Sequence, residues 1–169
     1  MFVDSHCHIN FPELAERLPD ILSTMRANHV SDALCVSVTL PDFPQVLALA
    51  EAHPNIYASV GVHPDYDDTP EPSTEQLVQL ALNPRIVAIG ETGLDYFRMK
   101  GDLEWQRERF RVHIRASRAS GKPLIIHTRN ASEDTLRILR EEKAGTDQGG
   151  KAGVMHCFTE SLEVANAAM

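Results

Sequence analysis

The chain has 169 residues and a net charge of −8, with 43% of its residues hydrophobic and 24% charged. That is enough apolar material for one core of ordinary size. The acidic balance argues against clamping nucleic acid through a broad basic face, and no stretch approaches the ~18 consecutive apolar residues of a membrane span. The opening MFVDSHCHIN carries acid and histidine where a signal peptide carries a cation and then a long apolar run, so a cytoplasmic protein is expected.

Short apolar runs alternate with helical stretches along the chain. The runs are Phe2 to Ser5, Ala33 to Val38, Ile56 to Val60, Ile86 to Gly90, Pro123 to His127 and Ala152 to His156. Their near-continuous hydrophobicity is that of parallel strands covered on both faces. Between them, Pro19 opens a helix to about Ala27, and Pro44 to His53 presents Val46, Leu47, Leu49 and Ala50 on one face. Ser73 with Gln76 has the form of a capping box. Asp102 is expected to cap a long helix, with Leu103, Phe110 and Ile114 on one face, that Gly121 ends. Asp134 to Glu142 and Ser161 to Met169 complete the helices. Asp65 to Pro72 is an excursion loop, and the Gly-rich stretch from Thr146 to Gly153 is a tight connection. This alternation predicts an α/β fold, a TIM (β/α)8-type barrel of the amidohydrolase-like kind with about six βα units in a single domain over 1–169. Such barrels take ~250 residues and eight strands, so the chain reads as partial, lacking roughly two strands.

Five of the eight histidines, His6, His8, His63, His127 and His156, fall at or just beyond the carboxyl ends of these strands, and Glu91 does so after the fourth. That rim hosts the active site of β/α barrels. His6 and His8 are two apart, so in extended chain both imidazoles face one way and can reach one ion. Each residue alone reads as readily as a core histidine bonded to backbone, and Glu91 as a helix cap. Together, four imidazoles and one carboxylate able to bridge suit Zn, Mn or Fe better than Ca. Five donors exceed what one tetrahedral ion requires, which favours two ions sharing Glu91. His63, in GVHP, is either a turn residue or a functional one. Arg129 can grip a phosphate or carboxylate with its planar fork, or stand solvated in a loop. Asp4 and Asp95 are candidates to orient ligand imidazoles. His29, His53 and His113 are expected at helix ends or on the surface, and Trp105 in packing. Three cysteines without close pairs suggest reduced thiols, with Cys7 and Cys157 as small buried strand residues.

The segments VDSHCH, GVHP, GETGLDY, IIHTR and MHCFTE resemble, in order and spacing, those of the TatD family of metal-dependent deoxyribonucleases, and in particular its YcfH-like branch. The resemblance implies a hydrolase using two divalent ions (Zn, Mg or Mn), the first held by His6 and His8, the second by His127 and His156, with Glu91 bridging. It implies that His63 and Arg129 contact the substrate phosphate, and that the substrate is DNA, single-stranded or at its 3′ ends. A monomer is expected for the full-length protein, with no membrane partner. The family's last ligand, an aspartate after the eighth strand, is not in this sequence, and many relatives have Gly in place of Glu160. Two rival readings remain: hydrolysis of amides or carboxylic esters by the same metal chemistry, and an inactive, aggregation-prone remnant with open strand edges.

Overall fold

The computed structural model describes residues 1–146, 149 and 152–169. Its elements alternate strictly enough to build one sheet: β1 (Phe2–Cys7), α1 (Pro12–Ala15), α2 (Leu18–Ala27), β2 (Val30–Cys35), α3 (Phe43–Ala52), β3 (Ile56–Val60), α4 (Thr74–Leu80), β4 (Ile86–Asp95), α5 (Glu104–Ser120), β5 (Leu124–Arg129), α6 (Ser132–Glu141), β6 (Gly153–Met155) and α7 (Leu162–Ala168). The strands pair in the order β1-β2-β3-β4-β5-β6, every neighbour parallel. The result is a curled, six-stranded part of a β/α barrel with helices on its outer face, as the alternation predicts. The connection expected at Thr146 to Gly153 falls largely on 147, 148, 150 and 151, outside the described residues.

The main core lies between the sheet and the helices. Ile56, Ala58 and Val60 of β3 and Leu124 and Ile126 of β5 point outward there, against Val46, Leu77, Phe110, Ile114 and Ile138. The opposite, concave face carries a smaller cluster of Val36, Ala88 and Ile125. Val3, Val87 and Val154 remain exposed. No helix of the described residues is long and apolar enough to cross a membrane.

Local signals act as expected at several helix ends. Proline stands at the start of α2 and α3, where its missing N–H costs no helical bond. The Ser73 hydroxyl accepts the Gln76 amide at 3.1 Å, and Gly121, at φ 71°, ends α5 in the left-handed region. The N-cap of α5 is Leu103 rather than Asp102, whose carboxylate instead accepts the Glu104 amide at 3.0 Å. The short α1 was not signalled by any apolar period. Three strands also run past their expected ends, β1 to Cys7, β4 to Asp95 and β5 to Arg129. β4 continues to Asp95 because, after an irregularity between Ile89 and Thr92, its ladder with β5 resumes from Thr92–Ile126 to Asp95–Arg129. Glu91 and His127 therefore lie within strands, at fixed register, rather than on loops.

Candidate metal centre

The strand register brings the rim residues together. His6, the penultimate residue of β1, and His8, just beyond it, meet edge to face with their Nε2 atoms 3.2 Å apart. Glu91 Oε2 stands 3.2 Å from the same His6 nitrogen. On its other side Glu91 Oε1 lies 3.4 Å from His127 Nδ1 and 3.7 Å from His63 Nε2. Two groups of potential ligands result, His6–His8–Glu91 and His63–Glu91–His127, and they share one carboxylate. His156 stacks on His6, with centroids 3.5 Å apart and planes 11° from parallel.

Hydrogen bonds at the outer nitrogens decide which ring atoms offer a lone pair inward. His8 Nδ1 donates to the Val36 carbonyl at 3.1 Å, leaving Nε2 unprotonated toward His6. His127 Nε2 donates to Asp95 Oδ2 at 3.0 Å, leaving Nδ1 unprotonated toward Glu91. His63 is reversed: its Nδ1 accepts the Asp65 amide at 3.2 Å, so neutral His63 carries its proton on Nε2 and points an N–H at His127 Nδ1, 3.2 Å away. His8 and His127 are thus set as lone-pair donors to a cation, and His63 as a hydrogen-bond donor.

Burial raises the Glu91 carboxyl, but hydrogen bonds from His127 and His6 outweigh it and hold the group well below its ordinary range. Burial lowers His127 as well; there Glu91 and Asp95 outweigh it and raise the ring's pKa, so a proton at Nδ1, facing Glu91, competes with a cation for that lone pair. His63 is pushed down to about 4, chiefly by burial, and stays neutral. Burial and the neighbouring His6 lower His8 and His156.

This donor set fits divalent cations. Glu91 is only 4% exposed, and among the described residues no Lys or Arg pairs with it. A buried carboxylate without a cationic side chain is the arrangement expected of a metal ligand. The buried Nδ1 of His6 also has no hydrogen-bond partner.

Supporting residues come from unexpected places. Asp95 orients His127, as anticipated, but Asp4 reaches the backbone amide of His6 rather than its ring. His113 is not a surface or helix-end residue. It is fully buried, and its Nε2 accepts the Val62 amide at 3.0 Å. On the same face of α5, Gln106 accepts the Asp95 amide and donates to the carbonyls of Pro64 and Asp95. Arg109 donates to the carbonyls of His63 and Tyr66, grips Glu71 with its fork and lies over Trp105. One helix therefore ties down the loop carrying His63 and the carboxyl end of β4 at Asp95. The signal in the sequence was polar residues on a helix face shared with Phe110 and Ile114. Arg129 is exposed and stacks on Phe97. Cys7 is half-buried on β1, whereas Cys157 is exposed and off the strands, because β6 ends at Met155. His29 and His53 lie at helix ends, as expected.

The model of the TatD-related DNase family matches residues 3–169. This chain is a member of the TatD family. Among relatives, it is 43% identical over 166 residues to the uncharacterized metal-dependent hydrolase YcfH of Escherichia coli K12, an alignment covering 96% of this chain and 61% of YcfH. It is 36% identical over 170 residues to the uncharacterized metal-dependent hydrolase YabD of Bacillus subtilis, covering all of this chain and 65% of YabD. Its fold matches the crystal structure of the TatD homolog YjjV of E. coli K12 with a TM-score of 0.87 at 29% identity, over 99% of this chain and 64% of YjjV. The TatD chain described here thus spans somewhat under two thirds of the length of these relatives.

Proposed function

We propose that this TatD family chain supplies the metal-binding part of a divalent-metal-dependent hydrolase of phosphodiester bonds in DNA, acting in the cytoplasm. The observation that carries the reading is the buried Glu91 carboxylate shared between two groups of imidazole donors. The family's DNase description supports the phosphodiester substrate, and the names of YcfH and YabD support metal-dependent hydrolysis alone.

In this reading His6, His8 and Glu91 hold one ion and Glu91 with His127 a second, for which His156, outside both groups and stacked on His6, is the further ligand that the family resemblance implies. The His63 tautomer favours leaving that ring out of the ligand set, since its Nε2 carries a proton. Bound divalent ions supply a water nucleophile at neutral pH and neutralise charge on the phosphoryl oxygens. The protein's own groups position and select. Asp95 holds the His127 ring in the required tautomer. The His63 N–H and the Arg129 guanidinium, both on the rim, donate to phosphate oxygens.

The test is cleavage of a 5′-labelled single-stranded oligonucleotide with Mg or Mn. Chelation should abolish it, and the Glu91→Ala, His127→Ala double variant should lower it by more than about 100-fold. Undiminished cleavage in that variant would remove these residues from the chemistry. A wild-type protein that turns over a cyclic amide and no phosphodiester would reassign the reaction.

A further inference from the structure

Phe97 stands two residues beyond Asp95 and is 55% exposed. Its backbone is not loose. The amides of Phe97 and Arg98 donate to Asp95 Oδ1 at 2.9 and 3.1 Å, so the buried carboxylate that holds His127 also anchors this turn. The Arg129 guanidinium lies over the Phe97 ring at 3.8 Å. Arg129 is in register with Asp95 on the neighbouring strand and two residues beyond His127, so its side chain leaves β5 on the same side as that imidazole. Among the described residues Arg129 has no ion pair and no side-chain hydrogen bond, in a chain of net charge −8.

Stacking by its face leaves the edges of the guanidinium, where its N–H groups lie, free to fork onto an anion. Contact with Phe97 restricts the long side chain before any ligand arrives. Phe97 stays exposed beside that anion site, and a planar group is the natural cover for its ring. We propose that Phe97 is a stacking platform for the nucleobase adjoining the phosphate that Arg129 holds, which directs the site to unpaired strands. In a duplex the base faces are covered by their neighbours, whereas a single strand can turn one out onto an aromatic ring. The proposal rests on the phosphodiesterase reading above and adds to it a residue that selects the substrate.

The experiment compares kcat/KM of the metal-loaded protein on oligothymidylate and on an abasic strand of equal length and charge. Stacking of one base predicts that the wild type favours the base-bearing strand by about 5- to 100-fold. In Phe97→Leu that ratio should fall toward one, and Phe97→Trp should restore it. Arg129→Ala should instead lower both strands together, because it removes a phosphate contact. A Phe97→Leu ratio equal to the wild-type ratio overturns the platform while leaving the phosphodiesterase intact. A wild type that cleaves neither strand refutes the phosphodiesterase reading, and the platform with it.

Discussion

Acid should loosen this protein through one residue that is no part of the metal centre. His113 is fully buried on α5; its Nδ1 donates to the Arg109 carbonyl at 2.8 Å and its Nε2 accepts the Val62 amide at 3.0 Å. A second proton has nowhere to go, because at Nε2 it would face the Val62 N–H, and the Arg109 guanidinium adds repulsion. Burial is the larger cause and brings the ring down to about 4 from its ordinary 6.5. A group with a depressed native pKa that is neutral when deprotonated stabilises the fold fully above 6.5. That contribution is lost as pH falls from 6.5 toward 4, about 3 kcal/mol in all. His63, also near 4, titrates in the same window, so the measurement is a difference. Urea unfolding midpoints of wild type and His113→Gln are compared at steps between pH 7.5 and 4.5. Wild type should lose stability more steeply on acidification than the variant, which has nothing to titrate there. Parallel slopes, or a wild type that gains stability in acid, would refute the reasoning.

Further outcomes follow from the same geometry. Asp95→Asn lets an amide N–H face His127 Nε2 and moves the ring proton to Nδ1, so divalent-ion affinity measured by calorimetric titration should fall about 10- to 100-fold. Unchanged affinity would deny Asp95 its orienting role. Arg109→Ala removes the clamp on the His63 and Tyr66 carbonyls and should lower unfolding free energy by about 3 kcal/mol in denaturant titration. Phe110→Ala opens a cavity at the centre of the outer core, and a loss of about 3–5 kcal/mol is expected in the same titration.

Much of this was legible in the chain itself. The strand runs and the rim histidines follow from hydrophobic continuity and from position after each run, and those features do not depend on distant partners. Other features did. β4 reads as ending at Gly90 because its apolar run ends there, yet β5 offers a ladder that carries it to Asp95. Gly93 in this extension, at φ 133°, passes so close to the His127 backbone that a Cβ would collide with it, a demand visible only once the strands are paired. The helix face that His113 shares with Phe110 and Ile114 marks it for burial, but its acceptor role depends on an amide 51 residues away. The assignment of His63 as donor and His127 as lone-pair ligand also waits on the structure. Two histidines with equivalent places after apolar runs both carry the proton on Nε2, but an amide at Nδ1 of His63 turns that N–H inward and a carboxylate turns the His127 N–H outward.

Gln106, Arg109 and His113 give α5 an office beyond covering the sheet. Each grips backbone, so the helix gauges the loop after β3 and the carboxyl end of β4 through main-chain atoms that any side chain there would leave in place. Sliding the helix by one turn would misplace all three grips at once, and with them both halves of the donor cluster.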